Sequence, residues 1–392
     1  MEDRKRNRLL TGTFLALIFG MTCWSLLKKD TIFSEKEKRY LQQKPEFSWE
    51  ALKNGSFGKD YETYLNDQFP KRDLLNLLRT DCERLAGKTM ISGVYLGRDH
   101  YLMEHREETE FETALARGNE RKLLEFTGKA AEKLGEDRVR VLMVPGAETV
   151  LEDCLPPRAP EAAEKEAIAR LEEHFREKGL KTCLVPALET LTEAHRQEKE
   201  RQIYYRTDHH WTEEGAFLGY EAWAKSCGKQ PWKREDFVEE EMKNDFFGTL
   251  SARTGIQEKA DTLLAFLPAE KQDYRVIYSD GESASLYAEE MLSGPEPYAV
   301  YLKGNQALTE IRNESLEGGT LLVLKDSYGN AMIPFLANHF ETIYVIDQRY
   351  WRGDPEVFME EQKVTAVSYT HLDVYKRQLR HRPHSPYHLP GW

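Results

Sequence analysis

The chain has 392 residues, of which 40% are hydrophobic and 11% aromatic, enough for one large domain or two ordinary ones with a sizeable core. The formal net charge is −12 and no long Lys/Arg block occurs beyond the N-terminus, which argues against nucleic acid as the main partner, because phosphate binding needs a concentrated basic surface. A neutral or weakly charged substrate such as a glycan is compatible with this balance. The five cysteines, Cys23, Cys82, Cys154, Cys183 and Cys227, form no C-x-x-C pair, so a zinc or redox motif is not expected and most should be free and buried.

The run from Leu9 to Leu27 carries no charge, with Arg4, Lys5, Arg6 and Arg8 before it and Lys28 and Lys29 after it. It is about long enough to cross a hydrocarbon core as a helix. No A-x-A cleavage site follows, so residues 1–29 read as a cytoplasmic stub and an uncleaved transmembrane signal anchor, with the rest of the chain exported. The expected product is a single-pass membrane protein with its main domain outside the cytoplasm.

Residues 30–137 read as a helical N-terminal extension. GVYLG, a turn at Arg98-Asp99 and YLME predict a hairpin within it, and a charged helical stretch follows from about 106 to 137. Residues 138–366 alternate between strand-like and helix-like segments. VRVLMVP (139–145), KTCLVPA (181–187) and QIYYRTD (202–208) read as extended, and Ala159–Lys178 and Thr212–Lys225 as helices. Residues 229–300 are irregular, with short β-like runs such as DTLLAFL and YRVIYS. YAVYLKG, TLLVLKD and TIYVID then read as three β runs, with a helix over about Gly329–His339 between the last two. The pattern predicts an α/β fold with a mostly parallel sheet covered on both faces.

The end of the chain is different. VSYTHLDVYKRQ, from Val367 to Gln378, back-translates to a stretch resembling the transposon end used in sequencing-library preparation. Residues 367–392 are therefore set aside as an adapter artefact. On this reading the natural chain is interrupted at about Ala366, at the start of an edge or near-edge strand, and the residues beyond Ala366 should pack poorly.

Two motifs carry candidate chemistry. Tyr204-Tyr205-Arg206-Thr207-Asp208-His209-His210-Trp211-Thr212 lies where an extended segment gives way to a helix. Residues two apart on an extended chain share a side, which puts Asp208 beside His210 and turns His209 away. A carboxylate that orients an imidazole is what a Ser-activating histidine needs. Glu213 and Glu214 suit the positive end of the following helix. A helix-capping Asp with satisfied histidines explains the same residues. So would a metal site, since the triplet is similar to motifs of metal phosphoesterases, but adjacent residues should not all face one ion, and neither metal nor cofactor is expected.

The second motif, Leu321-Leu322-Val323-Leu324-Lys325-Asp326-Ser327-Tyr328-Gly329-Asn330, is a buried-type strand running into a helix. Ser327 falls at the strand's carboxyl end, where ligands bind in open α/β sheets. The helix start offers N–H groups to a developing oxyanion, and Asn330 adds a donor. An N-cap serine is the competing explanation.

Taken together, EKEKRYL, DQFPKRD, GVYLG, TDHHW, FFGTL (246–250), KGN (303–305), LKDSYGNAMIPFLANHF and IDQRYW resemble the DHHW family of Gram-positive bacteria over about residues 33–366. That family is related to the periplasmic alginate O-acetyltransferases. The resemblance implies an SGNH-hydrolase-like three-layer α/β/α domain with circularly permuted motif order. It also implies that Asp208 and His210 supply the acid and base of a triad whose nucleophile is Ser327. Gly304 and Asn305 match a Gly and an Asn used as oxyanion donors, although Lys303 stands where a small residue is expected. Arg349 is a candidate for holding an acetyl or sugar oxygen, against a surface ion pair, and Tyr328 and Trp211 are candidate apolar walls. The implied reaction passes an acetyl group through an acetyl-serine to a cell-envelope or exopolysaccharide glycan, or to water. A membrane-bound O-acyltransferase would be the donor. The alternative is a non-catalytic glycan-binding or envelope-assembly protein of the same fold.

Overall fold

The computed structural model describes residues 2–34, 36 and 39–370. The chain divides into two compact units, one running to Ser92 with Ser251–Ile256 added, the other comprising Gly93–Leu250 and the chain from Gln257 onward.

The first unit opens with helix α1, Glu2–Leu27, in which Arg4–Ser25 is long and apolar enough to cross a membrane and is not buried. Three shorter helices follow: α2 (Trp49–Lys53), α3 (Ser56–Asp67) and α4 (Arg72–Leu85). The Ser48 hydroxyl accepts from Ala51 N and starts α2. The segment between α1 and α2 is fastened to the end of α3, where Asp67 takes a bidentate pair from Arg39 and the Gln42 N–H.

The second unit is built on an eight-stranded sheet. In chain order its strands are β1 (Val139–Leu142), β2 (Leu184–Val185), β3 (Tyr274–Tyr278), β4 (Gly281–Ser283), β5 (Leu308–Asn313), β6 (Thr320–Lys325), β7 (Thr342–Ile346) and β8 (Ala366–Thr370). The spatial order is β4-β3-β5-β7-β6-β8-β1-β2. All pairings from β7 to β2 are parallel, and β5, β3 and β4 extend the sheet antiparallel at one end.

Strand alternation sorts the core into two layers. Leu321 and Val323 of β6 and Ile343 and Val345 of β7 face one cluster, to which α7 (Ala187–Gln197), α8 (Glu213–Ser226) and α9 (Gly329–Leu336) contribute. Leu322 and Leu324 face the other, which is covered by α5 (Ala114–Leu134) and α6 (Ala163–Glu177). A sheet buried on both faces needs near-continuous apolar strands, and Leu321 to Leu324 are fully buried. This is the three-layer α/β/α architecture. Residues 93–137, grouped with 30–92 on the sequence, lie with the sheet, including the hairpin strands Val94–Leu96 and Leu102–Glu104. All five cysteines are free, but only Cys154 and Cys183 are buried.

YAVYL and the last strand differ from the sequence reading. YAVYL is not a strand, since Pro297–Val300 forms a 3-10 turn and Leu302, Lys303 and Gly304 take positive φ values of 55°, 57° and 76°. Its tyrosines have the composition of a strand, yet Tyr298 lines the cavity beside Ser327 and Tyr301 is fully buried, with its hydroxyl donating to Leu264 O. The pairing strand is instead β5, LTEIRN, whose polar residues hid its alternation.

β8 is the other difference. Val367–Thr370, read as foreign, fill an interior position between β6 and β1, third from one end of the sheet, rather than an edge or near-edge one. Residues 371–392 lie outside the described residues. Yet the hydroxyls of Ser368 and Thr370 are buried with no hydrogen-bond partner. An orphaned buried hydroxyl costs about 1–3 kcal/mol. Ser368→Ala and Thr370→Val are each expected to stabilise the protein by about 1 kcal/mol, read as a higher urea midpoint at unchanged slope. A lower midpoint in both would show that these hydroxyls are satisfied.

Candidate active site

Ser327 follows the carboxyl end of β6 and precedes α9. The turn is tight. Its backbone is tied by Asp326 N donating to Thr370 O, and a Cβ on Gly329 would lie 2.7 Å from Thr370 Oγ1 and 2.8 Å from Lys325 Cβ. Glycine is thus required for the chain to turn here without striking β8.

Asp208, His209 and His210 come from a closed loop. Thr212 N donates to Ile203 O, Tyr205 N donates to His210 O, and Tyr204 pairs with Trp211. Buried Asp261 braces the loop from outside its own sequence, accepting from Arg206 N, Thr207 N, Thr207 Oγ1 and Gln202 Nε2. The segment bends instead of extending, so the strand rule for side-chain direction fails. His209 does not turn away: its ring lies 3.9 Å from that of His210, and its Nδ1 meets Thr249 Oγ1 at 2.7 Å.

The structure brings Asp208, His210 and Ser327 into one hydrogen-bonded chain. His210 Nδ1 lies 2.5 Å from Asp208 Oδ1, and His210 Nε2 lies 2.8 Å from Ser327 Oγ. Read as donors, Nδ1–H gives to the carboxylate and the serine hydroxyl gives to Nε2, the tautomer in which imidazole can take the serine proton. The other Asp208 oxygen accepts from Thr249 N at 2.7 Å and Thr249 Oγ1 at 2.9 Å. Burial alone would raise the Asp208 carboxyl, but the adjacent His209 and His210 and the bonds from His210 and Thr249 outweigh it and hold the group well below the usual carboxylate range. It is therefore ionised at neutral pH.

Tyr298, from the misread YAVYL segment, stacks on His210 with centroids 3.9 Å apart and planes 7° from parallel. Tyr328 closes another side of His210 at 4.9 Å, and its hydroxyl donates to His209 O. These rings leave the imidazole little freedom to swing from Ser327. Sequence reasoning missed Tyr298, Thr249 and Asp261, although each lay in a quoted phrase: YAVYLKG, FFGTL and DTLLAFL.

Glu213 also departs from expectation. Glu214 pairs with Arg201 and Arg234 at the surface, but Glu213 is fully buried and accepts from the Tyr287 hydroxyl at 2.9 Å. Burial raises its pKa well above the ordinary 4.5 despite that bond. The folded state therefore keeps a proton that the unfolded chain releases, so the stabilisation is full below about pH 4.5 and is lost as pH rises toward the folded value. Glu213→Gln is expected to melt several degrees above the parent at pH 8, with the gap narrowing toward pH 4.5, in calorimetric scans at the two pH values. A gap independent of pH would mean that Glu213 is ionised in the fold.

Ser327 opens into a cavity of about 200 Å³ lined by His209, His210, Tyr298, Gly304, Asn305, Asn330, Tyr328 and Arg349, among others. Lys303 does not obstruct it, because its ammonium turns out to Asp280 at 2.6 Å. Asn305 Oδ1 accepts from Lys325 Nζ and Asn330 Nδ2, both at 3.2 Å, which leaves the Asn305 NH₂ as the end available to a ligand. Lys325 is wholly buried; burial lowers its pKa to about 8 against the pull of Asp347, 3.7 Å away. Asp347 in turn holds Arg349 through bonds of 2.9 and 2.6 Å, so Arg349 is a fixed cation at the cavity wall and not a surface ion pair. Trp211 does not line this cavity. It is fully buried behind the site, with its Nε1 donating to Tyr328 O and its ring filling the space a Cβ on Gly219 would need.

Among the described residues, two groups have metal-ligand types close together: Asp208-His209-His210, with ligand atoms within 4.8 Å of one another, and Asp153-Cys154-His195. So adjacency did not prevent the three from converging. In the first, both His210 nitrogens are already engaged, with Asp208 and Ser327. In the second, the Lys199 ammonium sits 2.5 Å from Asp153 and opposes a cation there.

A family model described as DHHW protein matches residues 142–346, more than half of the chain. A DHHW family protein from Eubacterium siraeum is similar in structure, with a TM-score of 0.59 and 24% identity over 74% of this chain and 94% of that one. Bacillus cereus PatB1 with a sulfonyl adduct is similar with a TM-score of 0.54 and 19% identity, over 73% of this chain and 98% of that one. No curated protein sequence matches.

Proposed function

The chain belongs to the DHHW protein family, and we propose that it is a serine-dependent acyltransferase or esterase that moves acetyl groups on cell-envelope or exopolysaccharide glycans. The observation that carries this reading is His210 bridging Asp208 and Ser327 at the base of an open cavity. His210 Nε2 takes the Ser327 proton as Oγ attacks the acetyl carbonyl. Asp208 steadies the imidazolium, and the Asn305 NH₂ lies in the cavity wall as a donor for the tetrahedral oxyanion. His210 then returns the proton to the leaving alcohol, and acetyl-Ser327 remains. A sugar hydroxyl, or water, repeats the attack and frees the serine. Fixed donors, with no strong net charge among them, suit a neutral polyol, and Arg349 offers a point for an acetyl or ring oxygen. The resemblance of TDHHW and LKDSYGN to motifs of alginate O-acetyltransferases supports acetyl as the group moved. In this reading α1 anchors the chain in a membrane with the sheet unit outside, and a membrane-bound O-acyltransferase supplies the acetyl.

An aryl sulfonyl fluoride tests the reading. The full chain is expected to take up one sulfonyl group, located by peptide mass spectrometry on Ser327, and Asp208→Asn should slow the labelling. Failure of Ser327 to label in folded protein would favour the non-catalytic glycan-binding reading.

A further inference from the structure

We propose that α4 lies along the surface of the bilayer that α1 crosses, with its leucine face in the lipid interface. The proposal rests on α1 being a membrane span. α1 ends at Leu27, and the next few residues are bonded to the end of α3: Tyr64 Oη donates to Asp30 Oδ1 at 3.2 Å, Thr31 N donates to Gln68 Oε1 at 2.9 Å, and Gln68 Nε2 returns a 2.9 Å bond to Thr31 O. α4 starts at Arg72, a short turn beyond Gln68. Each connection is only about four residues, or about 14 Å of fully extended chain. The start of α4 is thus held near the point where α1 leaves the membrane.

The pattern along α4 gives its orientation. At about 100° per residue, Leu74, Leu78 and Leu85 fall on one line, flanked by Leu75 and Leu77, with the exposed Asp81 between Leu74 and Leu77. These leucines are exposed, Leu74 and Leu78 by 50% and Leu85 by 89%. Arg72, Asn76, Arg79 and Glu83 occupy the opposite side, and Thr80, well round from the leucines, is buried with its hydroxyl donating to Thr254 O at 2.8 Å. The helix therefore meets its own unit through Thr80, leaves Asn76 and Arg79 of its polar side exposed to water, and presents its leucines outward on the other side. A soluble surface seldom exposes a leucine row of this kind, whereas an interfacial helix needs one. Arg72, Arg79 and Arg84 balance Asp73, Asp81 and Glu83 in formal charge, so attachment should depend on apolar burial and not on anionic lipid.

Hydroxyl-radical footprinting of the full chain in phosphatidylcholine nanodiscs, at one chain per disc, tests this without a substitution. Single occupancy removes a second copy as a cover. Val238 and Val357, which are 56% and 51% exposed, serve as references. After correction for intrinsic reactivity, Leu74, Leu78 and Leu85 are expected to oxidise several-fold more slowly than those valines, as are Leu9, Phe14 and Phe19 of α1. Adding phosphatidylglycerol should leave the pattern unchanged. Oxidation of the α4 leucines at the valine rate, with α1 protected, overturns the proposal alone. Oxidation of α1 at that rate overturns the membrane span and the proposal with it.

Discussion

Ser327→Ala is expected to lower turnover of a chromogenic acetate ester by about 10³-fold or more, because loss of a triad nucleophile elsewhere leaves only the contribution of the oxyanion donors and binding. His210→Ala should cost about as much, and the double variant little more than either single one, since the two act as one unit. Folding should be spared in Ser327→Ala. The hydroxyl removed is bonded to His210, and the backbone turn that carries it is held by Thr370 O and by the space Gly329 leaves. A urea midpoint within error of the parent, together with the lost turnover, would separate chemistry from stability. Full retained turnover in Ser327→Ala would sink the acyl-serine mechanism.

Gly248→Ala should be nearly as damaging, although this residue carries no functional group. Its Cβ would stand 2.3 Å from both Cβ and Oδ2 of Asp208. Asp208 cannot retreat without loss, because one oxygen is bound to His210 and the other to Thr249 N and Oγ1, and the residue is buried. Overpacking of this kind costs about 1–3 kcal/mol. A misplaced carboxylate leaves His210 without the partner that fixes its tautomer, a loss worth about 10⁴-fold in a well-studied Ser–His–Asp enzyme. The expected result is a lowered urea midpoint with turnover down by about 10²-fold or more. Turnover near the parental rate would show that Asp208 does not need this geometry.

How much was legible depends on how local each cause is. TDHHW and KDS could be picked out because a short stretch contains the residue types, and β6, β7 and their helices were visible because uninterrupted apolar runs mark strands buried on both faces. His209 was misjudged because alternation presupposes an extended chain, whereas this loop is bent by Asp261, which lies far along the sequence. Tyr298 was assigned to a strand on composition; its role comes from stacking on a ring no local pattern reveals. Gly248 and Thr249 stood in plain view in FFGTL, but nothing in that phrase says that its backbone closes on a carboxylate. β5 was missed because it alternates at the antiparallel end, where polar residues are allowed.

The place of β8 has a consequence for biogenesis. It is the last of the eight strands to be synthesised, yet it joins β6 on one side to β1 on the other. During translation β1 and β2 emerge early and have no route into the sheet until this final strand has left the ribosome. If the chain is threaded through a translocon behind α1, the two halves must also wait on the far side of the membrane, with open β edges exposed to proteases and holdase chaperones. Assembly of this sheet is therefore expected to wait for β8, and stalled nascent chains lacking β8 should remain protease-sensitive however much of the rest has been synthesised.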